Sequence, residues 1–384
     1  MPEIQLIGLK EERDKMAYWN VIFNPGINVS DPELIRLICQ IEAQRIALSN
    51  IPLPPGIRKQ LDSVNVVKQI KASTRIEGST LSDREVDEAI KKRFSDSSEE
   101  QEVIAAYNLH EHIVETAEKN ENIFITEDLI KEFHSIITKG IDDVEYHPGR
   151  YRTSDLLVGK NHKPTKFEDV PEKMKEFVDF LNSESVLNLG CLVRAVIAHF
   201  YLVSIHPFQN GNGRTSRALE AYILYCGNYN QLGFYSMSNY YYRNYEKYFE
   251  ELDNARFKHQ GDLSFFVMFA LAGFLDEVRA IATEAFMFIK RKMYKEYILE
   301  VSGEKALKMG KRGYEIAYYL LEYRGDEGGI PRDKINRDPF FNSLLKRVSE
   351  KTLSRDFGRL LELQLIKWEN GILKVNLEVM DQFK

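Results

Sequence analysis

The sequence predicts a mainly α protein: a large helical bundle broken by one small β-hairpin, then a smaller C-terminal unit of helices closed by a second hairpin. Three observations carry this. From Val103 to Phe274 the apolar residues recur at helical spacing almost throughout. Inside that span, Leu156-Leu157-Val158-Gly159 reads as a short hairpin, with polar ends at Gly149-Arg150-Tyr151-Arg152-Thr153 and Lys163-Pro164. Near the C-terminus, Glu369-Asn370-Gly371 joins two short β-like runs, and Asn-Gly is the strongest short hairpin signal.

The elements follow in order. Residues 1–30 read as irregular, with Pro25-Gly26 as a turn. Asp31-Pro32 opens a helix that carries Leu34, Ile38 and Ile41 inward, and Pro52-Leu53-Pro54-Pro55-Gly56 ends it. A helix then runs to Ser73-Thr74-Arg75-Ile76-Glu77-Gly78, where Gly78 reads as the stop. Ser82-Asp83-Arg84-Glu85 is a capping box for the next helix. The Ser- and acid-rich stretch 95–102 reads as an exposed connection. Asp169-Val170-Pro171-Glu172 starts a helix with Met174, Phe177, Val178 and Leu181 inward. Leu192 to Ser204 is largely apolar and reads as the buried centre of an all-α bundle. Beyond Lys311 the pattern gives a helix over 313–323, a turn from Gly325 to Gly329, and helices over 335–348 and 351–365. On this reading the chain divides into 1–102, 103–285 and 286–384.

Composition bounds the function. The 384 residues are 43% apolar, ample for real cores, and 29% charged. A net charge of −6 argues against a nucleic-acid footprint over the whole protein, though not against a local one. Cys39, Cys191 and Cys226 lack metal-type spacing and read as reduced core residues of a cytoplasmic protein. The first dozen residues are charged and carry no signal-peptide pattern, and the longest apolar run, 265–275, is too short to span a membrane. No membrane partner is expected.

The chemistry concentrates in Ile205-His206-Pro207-Phe208-Gln209-Asn210-Gly211-Asn212-Gly213-Arg214-Thr215-Ser216-Arg217. Pro207 stops a helix from running through. Gly211 and Gly213 let successive N–H groups point into one concavity. A helix starting near Arg214 adds its positive end, and Arg214 and Arg217 share a face of it. This is a polyphosphate cradle with a histidine, a candidate general base, at its rim.

This stretch resembles the signature of the Fic (Fic/Doc) family, H-P-F-x-[D/E]-G-N-G-R-x-x-R, and departs from it only at Asn210, where the family usually has an acid. The resemblance implies a helical Fic bundle and an enzyme, a protein adenylyltransferase that moves AMP from ATP to a protein hydroxyl of Tyr, Thr or Ser and releases pyrophosphate. His206 would take the proton from that hydroxyl. Phe208 would pack inward and hold the loop. Gly211, Asn212 and Gly213 would line the α-phosphate, Arg214 the β-phosphate and Arg217 the γ-phosphate, with Thr215 and Ser216 in the same ATP-binding run. The usual acid holds Mg²⁺; Asn210 contributes no charge there, so Mg²⁺ or Mn²⁺ would be weakly held.

Three further features gain meaning from the resemblance. Ser73, Glu77 and Gly78 match the family's inhibitory pattern, [S/T]-x-x-x-E-[G/N]. Glu77 ends a helix, where the macrodipole disfavours an acid, so a cationic partner is expected, and the family implies Arg217. The hairpin resembles the family's flap, with Val158, Gly159, Lys160 and Asn161 bordering the nucleotide and an edge that pairs with an extended target segment. Tyr248, in an aromatic run with Tyr240, Tyr241, Tyr242 and Tyr245, matches a tyrosine that contacts adenine in the family, although core packing is the commoner fate of such rings. His110, His134 and His199 read as structural.

The tail resembles a winged helix-turn-helix, which the family often appends. Lys346, Arg347, Lys351, Arg355 and Arg359 make its presumed recognition helix basic, diluted by Glu350 and Asp356. DNA binding, protein docking and a homodimer are all open to it. The expected function is thus a self-inhibited adenylyltransferase. Its rivals are a Fic-type phosphotransferase, an AMP-removing enzyme, and a nucleotide-sensing DNA-binding regulator.

Overall fold

The computed structural model describes residues 17–119, 123–140, 147–159, 162–229, 231–233, 236–303, 309–323 and 328–383. The chain forms two compact units, Met1–Ala282 and Thr283–Lys384. The first joins the two regions expected to separate at 102/103. That boundary falls inside a helix, Ser98–Lys119, whose Glu99 and Glu100 favour its first turn electrostatically, so the acid-rich stretch is helical from Ser98 rather than a plain connection.

The first unit is helical. Its elements are α1 (Pro32–Ser49), α2 (Pro55–Ile76), α3 (Asp83–Lys92), α4 (Ser98–Lys119), α5 (Glu127–Ile137), α6 (Val170–Leu181), α7 (Glu184–Leu187), α8 (Gly190–Ile205), α9 (Asn212–Cys226), α10 (Ser238–Arg243) and α11 (Tyr245–Asp253). The long helix α12 (Ser264–Gly303) follows, and the division between units falls within it. Caps set the boundaries: Asp31 accepts from the N–H groups of Glu33 and Leu34, and Ser82 and Glu85 form the capping box.

α8 is the centre. Every residue from Leu192 to Ile205 is buried, which accounts for the near-absence of polar periodicity in its sequence. Its buried Arg194 is satisfied by the carbonyls of Leu181 and Ile123, each 3.1 Å away, and by Asn182 Oδ1 at 3.0 Å. α9 lies along α8 and also packs on α4 and α5, while α2 packs on α10 and α4. The site loop is the connection between the two most buried helices, so its ends are held rigidly.

The expected flap hairpin is reduced to one antiparallel bridge, Val158 to His162. The strand before it is spent otherwise: the Arg152 N–H donates to the Pro207 carbonyl at 2.9 Å. The cysteines are not core residues; Cys39 lies on the exposed side of α1, and Cys191 and Cys226 are half-buried. No helix among the described residues is long and apolar enough to cross a membrane.

The second unit contains α13 (Gly310–Glu322), β1 (Ile330–Pro331), α14 (Pro339–Leu345), α15 (Glu350–Glu362), β2 (Ile366–Glu369) and β3 (Ile372–Val375). The strands form an antiparallel sheet in the order β1-β3-β2. Asn370 and Gly371 both have positive φ, 51° and 79°, as a two-residue hairpin turn requires. Ile316, Leu320, Phe341, Leu353, Leu360, Leu365 and Leu373 fill its core. The single helix expected over 335–348 is split: a 3₁₀ turn ends at Arg337, and Asp338 caps a new helix at Pro339, whose missing N–H suits a first turn. Part of the expected turn, 325–327, lies outside the described residues.

Candidate functional site

His206 ends α8 in the left-handed conformation, φ 54° and ψ 58°. That conformation costs a non-glycine residue about 1–3 kcal/mol, and the surroundings enforce it. Arg152 Nε donates to the His206 carbonyl at 2.9 Å, and Arg152 also donates to the carbonyls of Ser154, at 3.0 Å, and Thr165. Phe208 is fully buried and stacks on His134, with centroids 3.6 Å apart and planes at 5°. Asn212 closes the loop on itself: its Oδ1 accepts from the Phe208 N–H at 2.9 Å and its Nδ2 donates to the Phe208 carbonyl at 2.8 Å.

The His206 ring is oriented for proton abstraction. Its Nδ1 lies 3.1 Å from the Val203 carbonyl, which can only accept, so Nδ1 carries the hydrogen and Nε2 keeps its lone pair. Burial pushes the imidazole pKa down to about 4; the Val203 bond opposes this, while the Arg256 and Arg152 cations reinforce it. The ring is neutral at neutral pH, as a base must be.

The cradle is built from the start of α9. Gly211 has φ 74°, and a Cβ there would come within 2.5 Å of Thr138 Cγ2, so only glycine fits. By helical geometry the N–H groups of Asn212, Gly213 and Arg214 have no intrahelical acceptor. Arg214 is 3% exposed, lies 3.4 Å from Glu102 Oε2, and its Nε and Nη1 have no hydrogen-bond partner among the described residues. A buried guanidinium with unspent donors beside a helix N-terminus suits a polyphosphate.

Arg217 is occupied by α2. Its Nη2 donates to Glu77 Oε1 at 2.7 Å and to the Ser73 carbonyl at 3.0 Å, and its Nε to Ser73 Oγ at 3.0 Å. Glu77 caps α2 and Gly78 turns the chain away at φ 106°. Burial raises the Glu77 pKa, but Arg217, then Arg214 and His206, outweigh it and hold the carboxyl below its usual range. A Cβ on Gly213 would sit 2.4 Å from Glu77 Oε1. The carboxylate therefore lies directly over the first turn of α9.

Other expected site residues fall differently. Thr215 Oγ1 and Ser216 Oγ donate to the carbonyls of Gly211 and Asn212, at 2.8 and 2.7 Å, and both side chains are fully buried; they brace the helix and do not face a ligand. Tyr248 is 1% exposed and its hydroxyl is spent on His199 Nε2 at 2.9 Å, so it is a core residue and not the expected adenine contact. Val158 pairs with His162 in the bridge, and Gly159 follows it in the turn with φ 60°. Lys160 and Asn161 lie outside the described residues.

Asn210 is exposed, and its Oδ1 accepts from the Gly211 N–H at 2.6 Å. Among the described residues no group of three or more His, Cys, Asp or Glu side chains could hold a metal ion. At the position where the family usually has an acid the chain thus offers one neutral amide oxygen already in use, a weaker ligand for a hard cation than a carboxylate.

Sequence reasoning missed the residues that hold the loop. His134, read as merely structural, stacks on Phe208, places Nε2 3.0 Å from the Asn210 carbonyl and accepts from the Gly149 N–H at 2.9 Å. Arg152 clamps the flap segment to the loop, and Arg256 donates to Ser204 Oγ at 2.8 Å behind His206. The sequence held no local signal for these, since each reaches the end of α8 or the loop from 50 or more positions away.

The chain is 45% identical over 95 residues to Protein adenylyltransferase fic-1 of Caenorhabditis elegans, a match covering 25% of this chain and 18% of that protein. It is 30% identical over 193 residues to Protein adenylyltransferase Fic of Aedes aegypti, covering 50% and 38%. The chain thus spans well under half the length of these relatives. Among solved structures, a Fic family protein from Desulfovibrio desulfuricans G20 matches with a TM-score of 0.57 at 20% identity, over 92% of this chain and 98% of that one. Residues 134–508 of Fic-1 from C. elegans match with a TM-score of 0.55 at 24% identity, over 66% and 73%. Both likenesses are of fold. The family model described as Fic/DOC family matches residues 124–224, which contain the loop, the cradle and both arginines: the chain carries a Fic/DOC-family domain.

Proposed function

We propose that this chain is a protein adenylyltransferase held off by its own Glu77. The observation that carries the reading is the His206 ring, fixed with Nε2 free beside a helix N-terminus that bears two buried arginines. A target hydroxyl gives its proton to Nε2 as its oxygen attacks the α-phosphorus of ATP. The bond to the bridging oxygen breaks and pyrophosphate leaves. The N–H groups at the start of α9 bear the charge that develops on the α-phosphate, Arg214 that on the β-phosphate, and Arg217 holds the γ-phosphate. Glu77 on Arg217, against Gly213, supports self-inhibition, because a phosphate and a carboxylate cannot share that position.

The test is incubation of wild type, Glu77→Gly and His206→Ala with α- or γ-labelled ATP. Transfer of the α-label, greatest for Glu77→Gly and lost in His206→Ala, is expected. Transfer of the γ-label would make the protein a phosphotransferase, and transfer of neither by any variant would leave a regulator.

The second unit supports a second, local reading, that it binds DNA. Its order of helix, strand, two helices and hairpin is that of a winged helix. Arg312 forks onto Asp356 and Arg359 pairs with Glu362, while Lys346, Arg347, Lys351 and Arg355 are exposed and form no ion pair among the described residues. A cationic strip of this kind suits a phosphate backbone. A gel shift at low salt tests it.

A further inference from the structure

Helix α2 carries a polar residue at every fourth position along one ridge: Asn65, Gln69, Ser73 and Glu77. The last two hold Arg217. The first two, both buried, hold the turn Gln231–Gly233 that follows α9. Asn65 Nδ2 donates to the Leu232 carbonyl at 2.8 Å, and Gln69 Nε2 donates to the Gly233 carbonyl at 2.6 Å. Both carbonyls can only accept, so the orientation of each amide is fixed. Leu232 is left-handed at φ 51°, a conformation that needs support from its surroundings. A Cβ on Gly233 would lie 2.5 Å from the Asp62 carbonyl oxygen, so the turn presses on the backbone of α2 and glycine alone permits the approach.

These contacts refer α2 to the helix that it blocks. α9 begins under Glu77 and ends just before the clasped turn, so the two helices run antiparallel and are tied at both ends. From Asn65 to Glu77 is about 18 Å of helix, and a slip of one residue turns a helix by about 100°. Such a slip carries Glu77 off Arg217. Between the ties lies a cavity of about 60 Å³, with Gln69, Ser73, Arg214, Arg217, Ala218 and Ala221 in its wall, so close packing does not fix the register there. The apolar face of α2, with Val66 and Ile70, shares a cluster with Val86 and Val103, and apolar contact is non-directional. Two ties farther along, Lys71 to Asp83 and Arg75 to the Leu81 carbonyl, join α2 to residues that follow it directly in the chain and do not refer it to α9.

We propose that Asn65 and Gln69 form a clasp that sets the register of α2 so that Glu77 lands on Arg217, and that opening the clasp switches the enzyme on with Glu77 and Arg217 both intact. The proposal rests on the reading of Glu77 as the inhibitory group. The two amides are positioning residues: their side-chain bonds go to the turn and to α2 itself, and they act through the placement of Glu77.

The experiment uses the full chain. Asn65→Leu with Gln69→Met removes both amide donors while keeping side-chain size and helix propensity. Gly233→Ala opens the clasp from the other side and leaves α2 unaltered. Initial rates of α-label transfer are compared for wild type, each clasp variant, Glu77→Gly and the combinations, with melting temperature as control. Each clasp variant should raise the rate about tenfold, the scale of two neutral hydrogen bonds, without exceeding Glu77→Gly. Once Glu77 is replaced by Gly, the same changes should alter the rate by less than about twofold, because both act on one contact. Amides that merely stabilised the fold would, when lost, lower the rate or leave it unchanged in both backgrounds. If Glu77→Gly raises the rate and the clasp variants do not, or if they raise it equally without Glu77, the clasp is overturned and the inhibitory reading stands. If Glu77→Gly itself leaves the rate unchanged, that reading fails and the clasp falls with it. Should the double variant not fold, Gln69→Met alone and Gly233→Ala supply the same comparison.

Discussion

Glu77→Gly is the perturbation with the largest expected consequence. Glu77 makes one charged bond to Arg217, 2.7 Å long, and its side chain keeps 28% of its surface, so the pair is neither fully buried nor freely solvated. A hydrogen bond to a charged group is worth about 1.5–3 kcal/mol. At 1.4 kcal/mol per factor of ten, removing this competitor raises productive occupancy by ATP roughly 10- to 150-fold. The fold should tolerate the change, because Glu77 is the cap residue beyond the last turn of α2 and Gly78 already turns the chain away. The assay is the initial rate of α-label transfer to the protein itself or to a hydroxyl-bearing target, at subsaturating ATP, with melting temperature as control. Arg217→Ala in the same background should lower the rate again. A Glu77→Gly rate within about twofold of wild type, an unfavourable outcome on the scale of a single charged bond, would refute the inhibitory role and leave Glu77 as a local helix-end residue.

Four further outcomes are expected. His206→Ala should cut transfer by about 10²- to 10⁴-fold while ATP affinity stays within a few-fold; an equal rate would remove His206 as the base. The rate of the Glu77→Gly enzyme should stay flat as pH falls from neutral and drop only as Nε2 is protonated near the depressed value of about 4, so a rate that halves near the ordinary imidazole range would contradict the assigned burial. Asn210→Asp should shift a Mg²⁺ titration of the rate to lower metal, since a carboxylate adds the charge that an amide lacks, and coincident midpoints would show that residue 210 does not meet the metal. In the second unit, Lys351→Ala with Arg355→Ala should weaken any low-salt gel shift and reduce its salt slope by about two, whereas an unchanged shift would place the nucleic acid elsewhere.

Much of the site was legible in the sequence because its geometry is local. Gly211, Gly213, Arg214 and Arg217 belong to one loop and one helix turn, so spacing alone brings them together. The pairing of Glu77 with Arg217 spans 140 positions, and only the poor fit of an acid to a helix end, joined to a resemblance, pointed to it. Tyr248 shows where such reasoning stops. At helical spacing a core ring and a ligand ring look alike, and the hydrogen bond to His199 that decides between them is a tertiary fact. The helix expected over 335–348 failed for the opposite reason: Pro339 carried a local stop signal that a run of apolar residues masked.

The 2.4 Å between Glu77 Oε1 and the place of a Cβ on Gly213 has one more consequence. Under the proposed function the carboxylate is a tethered ligand for the first turn of α9, and it competes with ATP for a single volume. A tether fixes its effective concentration, for short flexible links on the order of millimolar, and dilution of the enzyme leaves that value untouched. Inhibition of this kind is surmountable: it sets a threshold in nucleotide concentration, so that the same chain would be silent when ATP is scarce and would rise with supply, with no second protein required to read the level.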